Sequence, residues 1–360
     1  MAVLLLSIVF AGILIPKILL IAFRKKLFDE PDERKIHRGI VPRLGGIAFE
    51  PVILFSILFL FGINVSYGFV DFAGELRGNA MELSLGVCAL IVLYLVGIAD
   101  DLIGVKYRAK FVVQLFCGVL LVCSGLWIND LYGVFGVHEI GAVAGYPLTV
   151  FIIVFVINAI NLIDGIDGLA SGLSAAATIF YGVVFMFLGE YIYAMIAFAT
   201  LGVLIPFFYF NVFGSQERGK KIFMGDTGSL TIGIVLSFLS IRLISCDETI
   251  YGNWSYNPVV VAFAPLIIPC FDVVRIVIHR LRYHSNPFMP DRNHIHHKLL
   301  DAGMPQRLAM VTLIFASILL TVVNVWLSAC VDVNVLLLCD IAFYTGINIW
   351  LTSRIRRRNV

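Results

Sequence analysis

Pro147-Leu-Thr-Val-Phe-Ile-Ile-Val-Phe-Val-Ile-Asn158-Ala-Ile-Asn161-Leu-Ile-Asp164-Gly-Ile-Asp167-Gly168 is the stretch on which the fold turns. It starts as an uncharged apolar run and then carries Asn or Asp at every third residue. That spacing lays Asn158, Asn161, Asp164 and Asp167 along one face of a helix that frays at Gly165 and Gly168. Charge inside a bilayer is costly and is rarely kept without use. The stretch predicts a membrane-spanning helix that ends in a carboxylate-bearing loop. The bland alternative is a polar seam between helices.

The rest of the chain is written the same way. It has 360 residues, 60% hydrophobic and 14% charged, with a mean hydropathy of +0.96. Ordinary soluble domains carry about 25% charged residues. A spanning helix needs about 20 apolar residues. Candidate spans lie near 2–23, 46–65, 81–99, 109–127, 147–163, 168–188, 190–210, 228–245, 257–280, 308–328 and 333–352. The expected fold is an all-α polytopic integral membrane protein of about 11 transmembrane helices. It is read as a single domain over 1–360, with its motifs within 37–298. Residues 1–23 lack a basic n-region and a clear small-residue cleavage site, and are read as a retained first span. The seven cysteines lie mostly in apolar runs without CxxC or Cys/His spacing, and are read as small hydrophobes.

Orientation follows from the basic residues. With the N-terminus outside, the loops at 24–45, 100–110, 211–227, 281–307 and 353–360 are cytoplasmic and hold most of the Lys and Arg. The opposite side holds Arg77, with Arg242 near a helix end. The tail Arg354-Ile-Arg356-Arg357-Arg358 then meets anionic lipid. The same choice puts Asp100, Asp101, Asp164, Asp167, Asp226 and a histidine-rich loop on the cytoplasmic side.

Those acids sit in short polar islands. Asp100-Asp101 closes one apolar run. Adjacent helical residues project about 100° apart, so one acid can take a proton or attack while the other orients a cation; a solvated helix end is the alternative. Phe223-Met-Gly-Asp226-Thr-Gly-Ser229 precedes another span. A helix start offers free N–H groups to phosphate oxygens, and Asp226 either serves that site or caps the helix. Phe223 either stacks on a planar base or anchors at the interface. Asn161 and Asp164 can offer oxygens to a hard cation or a ribose, and Mg²⁺ takes one or two carboxylates plus substrate phosphates. In Asp291-Arg-Asn-His294-Ile-His296-His297-Lys298 the histidines lack the i, i+4 spacing of a helical zinc pair and have no nearby Cys. Anionic phosphate and sugar hydroxyls suit them better. Arg38 and Arg43, in the first basic loop, either hold a phosphate or set topology.

Taken together, His37…Pro42-Arg-Leu-Gly45-Gly46, Asp100-Asp101, Asn158…Gly168, Phe223…Ser229 and His294-Ile-His296-His297 resemble the motifs of the polyprenyl-phosphate N-acetylhexosamine-1-phosphate transferases, in family order. The resemblance implies a Mg²⁺-dependent enzyme, with Mn²⁺ as a substitute. It would move a sugar-1-phosphate from a UDP-N-acetylhexosamine to polyprenyl (undecaprenyl) phosphate and release UMP. By motif match Asp226 would be the principal metal ligand with Asn161 nearby. Asp100 would activate the lipid phosphate, supported by Asp101. Asp164 and Asp167 would hold the nucleoside side of the donor, Phe223 would lie against the uracil, and His294, His296 and His297 would contact the diphosphate and sugar. The Asp-Arg-Asn-His-Ile-His-His form of the last motif looks like the branch that initiates O-antigen, enterobacterial common antigen or wall teichoic acid chains, often from UDP-GlcNAc. It differs from the Pro-Ile-His-His-His type of the branch using a UDP-MurNAc-pentapeptide. The family setting is the bacterial inner membrane, a homodimer is compatible with it, and no nucleic-acid partner is implied. One departure stands out: many relatives carry a further charge after Asp100-Asp101, where this chain has Leu-Ile-Gly, and Lys106, Arg108 and Lys110 are candidates for that role.

Other classes make different demands. A transporter or flippase can use intramembrane carboxylates and broken helices, but here the acids sit at one face and no internal repeat is evident. A prenyltransferase would want a DDxxD-like motif, and Asp100-Asp101-Leu-Ile-Gly104 ends in glycine. Direct in-line transfer and a two-step route through an aspartyl-phosphate both fit the motifs.

Overall fold

Each long apolar run folds into a helix, because no water inside a bilayer satisfies an open backbone. The computed structural model describes residues 1–27, 41–67, 72–246, 255–282 and 293–358. The elements are α1 (Ala2–Lys25), a 3-10 turn (Gly45–Ala48), α2 (Phe49–Tyr67), α3 (Phe72–Gly78), α4 (Ala80–Ile103), α5 (Tyr107–Cys123), α6 (Ala142–Ile163), α7 (Leu169–Phe187) and α8 (Tyr191–Val212). They continue with α9 (Gly225–Ile244), α10 (Pro258–Phe263), α11 (Ile267–Arg282), α12 (Ile295–Asp301), α13 (Gln306–Leu327) and α14 (Val333–Arg358). Among the described residues there is no strand, only an isolated bridge between Asp130 and Glu139.

Ten spans among the described residues are long and apolar enough to cross a membrane. α5 has 17 residues, about 26 Å at 1.5 Å per residue, near the lower limit for a span. Geometry decides its role. α4 and α6 both end at the same carboxylate cluster, so α5 must carry the chain back between them. Lys110 reaches Asp100, Gln114 pairs with Asn158, and Gly118 packs on Val150. These contacts lay α5 antiparallel along both neighbours. The expected span at 257–280 is present as one run, Pro258–Arg282, with a 3-10 turn at Ala264–Leu266 inside it. Asn257 caps α10 through the N–H groups of Val259 and Val260, and Pro265 lies in a 3-10 turn before α11.

The helices sort by who surrounds them. On α1, Val3, Ser7, Ala11 and Ile15 are buried while Leu5, Val9 and Ile13 are exposed, which is one face to protein and one to lipid. α9 is packed by protein all round, with 94% of its apolar window buried. Small residues allow this. A Cβ on Gly46 would overlap the backbone of Gly228, and one on Gly97 would press on Thr227. α9 is therefore the fixed axis, and its N-terminal end is where the polar loops meet.

Candidate active site

Asp101 holds the start of α9 from another helix. Its Oδ1 accepts the Asp226 N–H at 2.8 Å, and its Oδ2 accepts the Thr227 N–H at 2.9 Å and the Thr227 hydroxyl. The first N–H groups of a helix lack internal partners, and a carboxylate there also opposes the positive dipole end. Gly225 makes the approach possible: its φ is +72°, and a Cβ would strike the Arg43 carbonyl and the Asp101 carboxylate. The capping alternative for Asp226 does not occur, since α9 has no side-chain cap of its own. Asp226 is left free to point its carboxylate sideways.

That carboxylate meets Asp100. Lys110 Nζ lies 2.8 Å from Asp100 Oδ2 and 3.3 Å from Asp226 Oδ1, so one ammonium bridges acids from two helices. Asp100 Oδ1 also accepts the Val105 N–H. Asn161 donates to Asp226 Oδ1 and to Ser229 Oγ, both at 2.7 Å. Of the three basic candidates, Lys110 takes the central place; Lys106 starts α5, and Arg108 is exposed against the Tyr107 hydroxyl. Asn158 joins the seam instead, paired with Gln114 at 2.7 Å.

Asp164 and Asp167 occupy the turn after α6. Asp164 is exposed at its edge yet has protein atoms crowded round it. Burial pushes its carboxyl up to about 7; Asp226, Asp167 and Asp101 add to the rise and Arg43 opposes it. Asp167 is paired with Lys221 Nζ at 2.6 Å. Lys221 also lies 5.7 Å over the Phe223 ring. Asp167, Lys221, Gln216, Gln306 and Arg307 line a polar pocket of about 250 Å³. The Phe223 N–H donates to the Pro42 carbonyl, and Gly45 and Gly46 donate to the carbonyls of Phe223 and Met224. The first basic loop is thus stitched to the entry of α9, with Arg43 exposed beside it. Arg38 lies outside the described residues.

The histidine loop closes over the same turn. His294 is buried, and its Nδ1 is 2.8 Å from Asp272 Oδ2. His296 is 1% exposed, and its ring lies against Gly165, where a Cβ would overlap it. Burial lowers the His296 pKa to about 3, helped by His297 and His294 and opposed by Asp272, so this ring is neutral at working pH. Neither of its nitrogens has a hydrogen-bond partner among the described residues. His297 packs on His296 with ring centroids 4.3 Å apart. Burial, with Arg275 adding and Asp272 opposing, lowers Lys298 to about 8; it donates to Asn348 and Thr352 of α14.

Asp100, Asp101, Asn161, Asp164 and Asp226 therefore converge, Asp167 and Lys221 line an adjoining pocket with Phe223 beneath the Lys221 ammonium, and the histidines cover the turn that bears Asp164 and Asp167. Sequence reasoning singled out neither Lys221, Thr227 and Ser229 nor Asp272, Arg275 and Tyr344. The one available signal was polarity inside an apolar run, as at Asp272 in Phe271-Asp-Val-Val-Arg275.

Fold and site together define an all-helical, multi-pass membrane protein with a carboxylate centre gathered at one membrane face. The chain belongs to glycosyl transferase family 4, whose model matches residues 83–244. It is 34% identical over 307 residues to the undecaprenyl-phosphate alpha-N-acetylglucosaminyl 1-phosphate transferase of Salmonella typhi, covering 85% of this chain and 77% of that protein. The protein of the same name from Escherichia coli K12 is 33% identical with the same coverage. The probable undecaprenyl-phosphate N-acetylglucosaminyl 1-phosphate transferase of Bacillus subtilis is 29% identical over 325 residues, covering 88% and 83%.

Proposed function

We propose that this protein transfers GlcNAc-1-phosphate from UDP-GlcNAc to undecaprenyl phosphate, releasing UMP and leaving undecaprenyl-diphosphate-GlcNAc. The carrying observation is the convergence of Asp100, Asp226, Asn161 and Lys110 from four helices onto one point, in a chain 34% identical to a protein named for that transfer. The site lies on the cytoplasmic face of a bacterial inner membrane. The gathering of the basic loops at the same end as the carboxylates supports this.

The donor atoms fit Mg²⁺. Asp100 Oδ2 and Asp226 Oδ1 already share one cationic neighbour, and Asn161 stands beside them. Among the described residues no trio of His, Cys, Asp or Glu forms an all-protein cage. That suits a hard cation taking one or two carboxylates and completing its shell with phosphate and water. Asp226, with Asn161, would hold it. When bound, Mg²⁺ would neutralise charge on the diphosphate and on departing UMP.

The chain's own groups do the rest. An oxygen of the acceptor phosphate attacks the β-phosphorus in line, and the bond to the bridging oxygen breaks with its electron pair leaving on UMP. Asp100 takes the proton when the acceptor arrives as a monoanion. Asp101 keeps Asp226 aimed by fixing the first turn of α9. Lys110 places positive charge beside the reacting phosphates. Asp167, Lys221 and Phe223 receive the nucleoside.

The test is UMP release by purified protein with undecaprenyl phosphate, Mg²⁺ and a panel of UDP-sugars. UMP from UDP-GlcNAc supports the reading. Release only from another UDP-N-acetylhexosamine changes the sugar and keeps the chemistry. Robust exchange of labelled UMP into UDP-GlcNAc without lipid would replace direct attack by the aspartyl-phosphate route.

A further inference from the structure

We propose that Asp272 is a positioning residue for the donor site, acting through His294 to set the histidine loop against the turn bearing Asp164 and Asp167. The proposal rests on the function proposed above.

Asp272 sits in α11 at 0% exposure and touches none of the carboxylates that gather at α9. Its own carboxylate is nonetheless fully used. Oδ2 meets His294 Nδ1 at 2.8 Å. Oδ1 accepts the Ile295 N–H at 3.0 Å, Arg275 Nη2 at 2.9 Å and the Tyr344 hydroxyl at 3.1 Å. A carboxylate offers about four acceptor positions, and here four donors come from α11 itself, the loop, the start of α12 and the last helix. Arg275 also donates to the Asn293 carbonyl, which pins the backbone just before His294.

A buried carboxylate of this kind fixes the groups that donate to it, since without it Arg275 and His294 would lose a buried partner. What it orders is a ring. Facing a carboxylate, His294 Nδ1 carries a proton, and the contact fixes the orientation of the ring and turns Nε2 to its opposite side. His294 stacks on His296 at 5.5 Å and 13°, and His296 lies on Gly165 between the two aspartates of the turn. Tyr344, Asp272, His294, His296 and Gly165 thus form a continuous chain from the last helix to the donor pocket. An imidazole fixed in orientation can receive a sugar or ribose hydroxyl; one free to turn loses that definition.

Steady-state kinetics on the full-length enzyme test this, varying UDP-GlcNAc and undecaprenyl phosphate separately, with Tm measured in parallel. Asp272→Asn should lower kcat/KM for UDP-GlcNAc by roughly ten- to a hundred-fold and leave the acceptor KM within about two-fold. Tyr344→Phe, which removes one hydroxyl, should give a smaller loss of about two- to ten-fold, again on the donor alone. In a His294→Ala background, adding Asp272→Asn should change donor kinetics no further, since residues acting through one another are not additive. Wild-type donor kinetics in Asp272→Asn, equal losses for donor and acceptor, or additive losses in the double variant would each overturn the proposal. If Asp272→Asn fails to fold, Tyr344→Phe decides by the same donor-against-acceptor split. Wild-type protein that releases no UMP removes the functional reading and this proposal together, whereas an active wild type with an indifferent Asp272 removes only this one.

Discussion

Asp226 and Asp101 are carboxylates one helix start apart, yet they do different work. Asp101 spends its oxygens on the first turn of α9, while Asp226 faces Lys110 and Asn161. Asp226→Asn should therefore cut UMP release by about a hundred-fold or more, the scale of losing one charge-stabilising group, with Tm little changed. Asp101→Asn should lower stability by about 1–2 kcal/mol, the worth of a cap, and also slow turnover; thermal unfolding beside activity separates the two variants. Asp164 carries a pH signature. Its carboxyl is raised from 3.8 to about 7, so the folded protein binds the proton more tightly than the unfolded chain. Stability from this group is full at low pH and is lost as pH rises toward about 7. The metal-free protein should therefore lose Tm between pH 5 and pH 8 by a margin that Asp164→Asn reduces. Melting curves of both proteins across that range check the sign.

At the scale of elements, the site depends on how closely three helix ends approach. Gly46 lies on Gly228, Gly97 on Thr227, and Gly225 on Asp101. At Gly46 the neighbour is backbone, so no side chain can swing aside. Gly46→Ala should cost about 1–3 kcal/mol by overpacking and shift the α9 start that carries Asp226. Activity should fall by more than stability alone explains, measured as specific activity of the folded fraction. The hydrophobic runs announced these helices, but glycine contacts set which ends touch. A glycine in an apolar run reads the same whether it faces lipid or a neighbouring backbone.

Over the whole molecule, charge is gathered at both ends of the bundle for different reasons. Arg242 lies 16 residues beyond Asp226, about 24 Å along α9, and pairs with Glu82 and Glu190 at 3.5 and 3.1 Å. Breaking a buried pair from one side costs about 3–5 kcal/mol. Arg242→Gln should accordingly lower Tm strongly while leaving both KM values unchanged in the surviving protein. Orientation has its own readout. Exposed Cys330 lies in the turn between α13 and α14, at the end away from the carboxylates. As the sole cysteine, it should react with an impermeant maleimide in intact cells, whereas a cysteine placed at Ser353 should not.

Most of the spans were legible in the amino-acid order, because a bilayer forces backbone satisfaction within each apolar run; against the eleven expected, ten are long and apolar enough among the described residues, and the 17-residue α5 falls just short. Asp100, Asn161 and Asp226 stood out for the same reason: polarity in such surroundings is conspicuous. The 3-10 turn before α11 was less legible, since Pro265 sits in a run as apolar as its neighbours. The division of labour among the aspartates, the choice of Lys110 over Lys106 and Arg108, and the link from Tyr344 through Asp272 to His294 were decided only in three dimensions. Those partners lie from 10 to 126 residues apart in the chain, and hydrogen bonds over such separations depend on helix packing, which no local pattern of residues records.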